Sequence, residues 1–362
     1  MRSMNDFQIK IFKEISQSNT NKNIMISPLS IYHILSLAAN GASKNTLTEM
    51  LKTLSHNNIN EMNNDNKKIS SCIGNIVSSI EMANGAFIRF NPDQTFLKMI
   101  KGYKAQIELL KDANQINAWC SKATHNKITK IIESIENDDL MVLINAVYFK
   151  GFWEKTFDKK NTEKDDFTNY NNLKVKVDFM NQKEKFDYLE NDYMQAISLN
   201  YKRDNFFFLK ACIILPKKDE DINIFIKNLT IEKYREIVRN MKFEKVNLFL
   251  PKFEINFQSE LKPIFESLGM HEAFTNTADF TKINKCGILK IGNIVHKTFI
   301  KVDEEGTEAS ADTGVTFGFY TGILQEEKIF YMKVNRPFLF IIRTDDLPMG
   351  HDILFISKIE LL

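Results

Sequence analysis

The sequence is poor in everything that would cross-link a chain or carry it through a membrane. Only four cysteines occur in 362 residues, Cys72, Cys120, Cys212 and Cys286. They lie far apart in mostly apolar surroundings, with neither C-x-x-C metal spacing nor the density of a disulfide framework. Buried free thiols are the expectation, which suits a reducing compartment. The strongest apolar stretch, residues 140–149, contains Asn145 and falls well short of the ~20 residues that span a bilayer. The N-terminus meets Asp6 and Lys10 before any apolar run develops, so no signal peptide is expected. Localisation is read as cytoplasmic, with export by an unconventional route left open. The Asn-x-Thr site at Asn228 is therefore read as unused.

An excess of one charge is also missing. Forty-eight basic residues balance 46 acidic ones to a net charge of +2, which argues against broad nucleic-acid or membrane-surface binding. Catalytic and metal signatures are absent as well. No two of His33, His56, His125, His271, His296 and His351 lie four apart, and there is no H-E-x-x-H. No nucleophile elbow, phosphate-binding loop or dinucleotide fingerprint occurs. Asp303, Glu304, Glu305 and Glu308 lack the spacing of a calcium loop and are read as a solvated acidic shoulder. No metal, no cofactor and no enzymatic activity are expected.

Aliphatic and aromatic bulk is plentiful. Hydrophobic residues make up 43% of the chain and 29 are Phe, against only 13 Gly, which predicts a large, well-filled core. Asp6 is read as the cap of a first helix whose Phe7, Ile11 and Ile15 share one face. Ser27 and Pro28 open a second helix, stopped at Asn40–Gly41. Further helices are expected over residues 46–54, 69–80, 92–110 and 116–135, with the Asn-rich residues 55–68 as a solvated connection. Residues 141–149 read as a buried strand. Strands dominate residues 174–215, and more are expected near 246–250, 295–302, 328–334, 338–343 and 353–359. With no repeat and no linker, residues 1–362 read as a single α+β domain.

One segment contradicts itself. Over residues 307–316, Thr307, Ala309, Ala311, Thr313 and Val315 alternate with Glu308, Ser310, Asp312, Gly314 and Thr316. That is the period of a strand with one buried face. Yet Gly306, Gly314, Gly318 and Gly322 surround it, and glycine-rich sequence of this kind reads as loop. It has the pattern of a strand without the bulk to hold itself in a sheet.

Several stretches together carry a family likeness: Asn23 to Ser30, Ala83 to Phe87, Ile116 to Trp119 with Thr124, Lys127 and Ile128, and Asn145 to Trp153 with Phe157. Pro251 to Phe253, Leu268 to Met270, Ala278 to Phe280, His296–Lys297 and Asn335 to Phe338 continue it. Over nearly its whole length the chain resembles a serpin. Asn126, where the family often has Gly, and Ser357, where the last strand usually has Gly, depart from the pattern.

The resemblance implies about nine helices, three β-sheets and an exposed reactive-centre loop at about 304–326. It implies a hinge at Glu304, Glu305, Gly306, Thr307, Glu308, Ala309, Ser310 and Ala311. It also implies a mechanism, in which a serine protease cuts the loop, forms an acyl-enzyme and is trapped as the loop inserts into the main sheet. Counted sixteen positions on from Glu304, as in most inhibitory members, the scissile bond is Tyr320–Thr321, with Phe319–Tyr320 as runner-up. Either presents an aromatic to a chymotrypsin-like pocket, as in cathepsin G. No Lys or Arg occurs from 302 to 327, which disfavours trypsin-like targets. Asp312 replaces the small uncharged residue usual there, on the outward face. The expected partner is a protease with an aromatic-preferring pocket, acting on a monomer. The alternative is a non-inhibitory serpin serving binding or storage.

Overall fold

The computed structural model describes residues 5–73, 80–103, 105–203, 208–285, 289–307, 328–347 and 352–362. Nine α-helices occur among them: α1 (Asn5–Ser18), α2 (Pro28–Gly41), α3 (Lys44–Thr53), α4 (Ile59–Ile73), α5 (Gln94–Met99), α6 (Ala113–Ala123), α7 (Ile222–Asn228), α8 (Ile231–Asn240) and α9 (Lys262–Ser267). The first strands are β1 (Ile24–Ile26), β2 (Ile80–Ile88), β3 (Ala105–Leu109), β4 (Met141–Phe149), β5 (Gly151–Phe152), β6 (Glu163–Thr168), β7 (Lys174–Glu190) and β8 (Met194–Asn200). They are followed by β9 (Leu209–Pro216), β10 (Lys242–Pro251), β11 (Phe253–Glu260), β12 (Ile291–Val302), β13 (Gly306–Thr307), β14 (Ile329–Lys333), β15 (Phe338–Thr344) and β16 (Ile353–Ile359).

These strands form two main sheets and one small pairing. The larger has nine strands, in the order β1-β16-β15-β9-β8-β7-β10-β14 with β6 added beside β7. The second has five, β11-β12-β4-β2-β3. The third, among the described residues, is the two-residue pairing of β13 with β5, a small partial sheet.

Helix α2 lies at the centre, and all fourteen of its residues are buried. Ser27 caps it by accepting from Ser30 N, and Pro28 takes the first turn, where a missing N–H costs nothing. The helix runs through Gly41, where the space beside the backbone is filled: a Cβ there would lie 2.1 Å from Ile283. Strand β4 is buried at all nine positions, which explains why it reads as a continuous apolar run rather than an alternation.

Several sequence expectations are corrected. Helix α1 starts at Asn5, so Asp6 sits within the helix rather than capping it. Residues 59–68 are helix α4, whose Met62, Asn66 and Ile69 form a buried stripe among exposed asparagines. Residues 105–109 are strand, paired in parallel with β2; Ala-Gln-Ile-Glu-Leu alternates, and that period of two prevails over helix propensity. Helix α6 stops at Ala123, followed by left-handed His125 and Asn126 with φ 48° and 63°. Asparagine tolerates that conformation, and Ser121 Oγ donates to its Oδ1. Beyond it, Asn117 replaces helical bonding: its Oδ1 accepts from Ile131 N and Ile132 N and its Nδ2 donates to Ile132 O. Cys120 and Cys212 are buried free thiols, pushed up by burial to about 12 and about 11. Cys72 is partly buried, and Cys286 lies outside the described residues.

Candidate functional site: a parallel seam and its latch

The five-stranded sheet has a seam at its centre. Strands β12 and β4 lie side by side in parallel, with His296 directly opposite Asn145. On the other side of β4, Asn145 pairs antiparallel with Asn84 of β2. The three polar residues form a row across three strands, each less than a tenth exposed.

They are joined to the start of α2 by hydrogen bonds. Ser27 N donates to His296 Nε2 (3.2 Å), so the ring proton sits on Nδ1 and is donated to Asn145 Oδ1. Asn145 Nδ2 donates to both Ser30 Oγ and Asn84 Oδ1. Burial pushes the His296 imidazole down to about 3, which keeps it neutral. A neutral ring suits this network, because a second ring proton would leave Ser27 N without an acceptor. Thr298 adds a further tie by donating to Met25 O (2.8 Å). The seam is therefore closed by side chains as well as by its ladder.

At the upper end of β12 the chain reverses. Asp303 N donates to Gly306 O (2.8 Å) and Gly306 N to Asp303 O (3.2 Å), which makes a tight turn. Gly306 then pairs antiparallel with Phe152, and Thr307 with Gly151. Strand β5 continues β4 after one intervening residue, so the returning chain has entered the lane beside β4. Gly306 has φ +142°, and a Cβ there would lie 2.2 Å from Gly151 O. Only glycine fits this turn.

The turn is held from several sides. Trp153 is fully buried, stacks on Tyr201 at 4.5 Å, and donates from Nε1 to Asp303 O (3.0 Å). Trp153 N and Phe157 N donate to Glu305 O and Glu304 O. The Glu304 side chain is 5% exposed and paired with Lys252 at 2.9 Å, and it accepts from Thr162 Oγ1 at 2.8 Å. Burial pulls its carboxyl up, but the bonds from Lys252 and Thr162 outweigh that and hold it below the usual carboxylate range. Glu305 pairs with the exposed Lys159 at 2.6 Å.

Asp303, Glu304 and Glu305 are thus anchored, not the solvated shoulder expected from their charge. Of the hinge, Glu304, Glu305 and Gly306 are placed fully and Thr307 by its backbone. Glu308, Ala309, Ser310 and Ala311 lie outside the described residues, as do Asp312 and the bond candidates Phe319, Tyr320 and Thr321. Lys252 and Asn84 fall within family-like stretches and Thr162 does not, and nothing local ties Lys252 to a glutamate 52 residues away. Among the described residues, no group of three or more His, Cys, Asp or Glu gathers to hold a metal.

Comparisons agree with this architecture. The family profile described as Serpin (serine protease inhibitor) matches residues 2–360. An uncharacterized serpin-like protein of Methanosarcina mazei is 31% identical, over 98% of this chain and 86% of the relative. Human alpha-1-antichymotrypsin is 29% identical, over 98% and 86%. The crystal structure of tengpin, a thermophilic serpin in its native state, superposes with a TM-score of 0.88 at 33% identity, covering 100% of this chain and 94% of that one.

Proposed function

The chain belongs to the serpin family, and we propose that it is an irreversible suicide-substrate inhibitor of chymotrypsin-like serine proteases, with cathepsin-G-like enzymes as the leading class. The observation that carries this reading is the pair of rungs Gly306–Phe152 and Thr307–Gly151. They start an antiparallel strand along β4. The turn at Asp303–Gly306 starts one along β12.

Continued in register, both ladders bring Thr313 opposite Asn145 and His296 at once. The loop would thus enter the seam without a slip. Ala309 would meet Phe149 and Ile300, Ala311 would meet Val147 and Thr298, and Val315 would meet Leu143 and Ile294. Those partners are all fully buried, so only small inserted side chains avoid overpacking. The same register would set Glu308 beside Lys301 and Asp312 beside Lys297, on the opposite face of the inserted strand. Lys297 Nζ donates to Lys130 O at 2.6 Å in the intact protein, so it would have to turn towards Asp312 on insertion.

In this reading the protease serine attacks the Tyr320 carbonyl, the acyl-enzyme forms, and Thr321 leaves with a new amino terminus. Insertion exchanges one parallel ladder for two antiparallel ones, which are the more stable per residue. About a dozen bonds at ~0.5–1.5 kcal/mol each supply on the order of 10 kcal/mol to drag and distort the protease before water deacylates it.

Incubation with chymotrypsin, followed by denaturing electrophoresis, tests this. A covalent complex is expected, and mass spectrometry of the released fragment should begin at Thr321, or at Tyr320 for the runner-up bond. Cleaved protein with no complex would refute trapping. If cleavage also brought no rise in thermal stability, the chain would be a non-inhibitory serpin used for binding or storage.

A further inference from the structure

A cavity of about 550 Å³ is bounded by the turn between β7 and β8 and by helices α7 and α8. Leu189, Met194, Phe225, Leu229 and Ile237 give it apolar walls, and Glu220, Glu236 and Lys233 bring charge to it. Its size falls within the range of small-molecule sites, and apolar walls with a few placed polar groups are their usual make-up.

The backbone around the cavity is fixed. At the β7–β8 turn, Asn191 Oδ1 accepts from Tyr193 N (2.9 Å) and Met194 N (3.0 Å). Tyr193 O accepts from Lys217 N (2.8 Å). Thr230 caps α8 by accepting from Lys233 N (3.2 Å). On this fixed turn the Tyr193 side chain nevertheless stands 69% exposed, at the border of the cavity. A lone exposed aromatic is ordinary, but one that borders an apolar cavity adds a π-face to it.

The charges that line it do not cancel. Lys233 Nζ donates to Asn228 O (2.9 Å), and Lys13 Nζ donates to Leu229 O (3.1 Å). Both lysines thus serve carbonyls at the end of α7, where cations belong. Lys217, close to Glu220 in sequence, pairs instead with Glu190 at 2.8 Å. Among the described residues, neither Glu220 nor Glu236 has an ion pair or a side-chain hydrogen bond. Two uncompensated carboxylates beside an apolar, partly aromatic cavity are complementary to a cation on an apolar body.

We propose that this cavity binds a small monocationic amine with an aromatic or aliphatic body. The body lies against Phe225, Leu229 and Ile237. The ammonium faces Glu220 and Glu236, and the Tyr193 ring supplies a cation–π contact. An organic anion would meet two carboxylates and a lysine already bonded to a carbonyl. The site shares no residue with the seam, the turn at Gly306 or the loop, so it stands apart from the inhibitory reading above.

Isothermal titration calorimetry on the whole protein tests this with 4-phenylbutylamine, 4-phenylbutanol and 5-phenylpentanoate, which share a body and differ in charge. The amine should bind with a stoichiometry near one, about tenfold more tightly than the alcohol. The carboxylate should bind most weakly of the three. Salt should shrink the advantage of the amine and leave the alcohol unaffected. Glu220→Gln/Glu236→Gln should bring the amine down to the affinity of the alcohol without changing the alcohol, a selective loss that a folding defect would not produce. Tyr193→Ala should weaken the amine by about threefold. Equal affinities for amine and alcohol, or an advantage of the amine that survives the double variant, would overturn the proposal. So would tighter binding of the carboxylate, or no binding of any of the three.

Discussion

Asn145→Ala should weaken the intact protein much more than the loop-cleaved one. In the intact protein Asn145 donates to Ser30 and Asn84 and accepts from His296, all buried. Truncation strands the His296 Nδ1–H and removes both donors from the Ser30–Asn84 side. A buried group left without its partner costs about 1–3 kcal/mol, and the lost side-chain volume adds a little. The intact form should lose roughly 3–5 kcal/mol. In the cleaved form a strand would lie between β4 and β12, moving them from about 4.8 Å apart to about 10 Å. The His296–Asn145 bond could not then exist, so only the Ser30 and Asn84 contacts remain to be lost. The cleaved form should therefore lose less, by about 1–3 kcal/mol. Urea unfolding midpoints of the two forms measure the difference, and native gels should show the intact variant opening into polymers on mild warming. Equal losses in the two forms would refute the claim that this bond closes the seam.

Gly306→Val places a Cβ against Gly151 O at a positive φ. It should turn the inhibitor into a substrate, read as a rise in the cleaved fraction and a fall in covalent complex on denaturing gels. For His296, burial keeps the folded ring neutral down to about 3, while an unfolded histidine takes its proton near ~6.5. Between those values only the unfolded chain binds the proton, so stability falls as pH drops from about 6.5 towards about 3. The slope is at most about 1.4 kcal/mol per pH unit, with no contribution above that window. Urea midpoints across the acid range should show this slope, and His296→Gln should flatten it; parallel profiles would count against it. Lys252→Met leaves the Glu304 carboxylate buried with Thr162 alone and should cost about 2–4 kcal/mol. Adding Glu304→Gln should recover part of that, and a double-mutant cycle with no coupling would disprove the latch. Lys297→Glu sets a like charge beside the inserted Asp312. It should raise the stoichiometry of inhibition, and Lys297→Glu/Asp312→Lys should restore it.

How legible each part was depended on how local its cause was. Strand β4 was read to the residue because nine buried positions leave an apolar run interrupted by Asn145 alone. Helix α2 was read from its Ser27–Pro28 entry, a cap formed three residues apart. Helix α4 was expected only from Ile69 on, and its first ten residues read as a connection because the buried stripe there includes an asparagine, Asn66, bonded to Tyr32 and Met62 O. The stretch after α6 differs from the helix its apolar spacing predicts because Ile128, Ile131 and Ile132 enter the core from a non-helical chain, whose backbone is bonded by the side chains of Thr124 and Asn117. Asn145 and His296 were recognised as family-like residues, but their bond joins positions 151 apart and appears in no local pattern.

By itself the sequence determined which segment could become a strand. Small residues at every second position and glycines around them are local facts, and they limit that segment to a loop or a thin inserted strand. Tertiary structure decided where such a strand could go. Only folding sets β12 beside β4 in parallel, turns the chain at Gly306 into the lane between them, and closes that lane with His296 and Asn145. It also turned the acidic shoulder into a latch, because the partner of Glu304 is a lysine delivered by the end of another strand. Pairing of distant strands depends on burial summed over the whole core, and no short stretch of residues carries that sum.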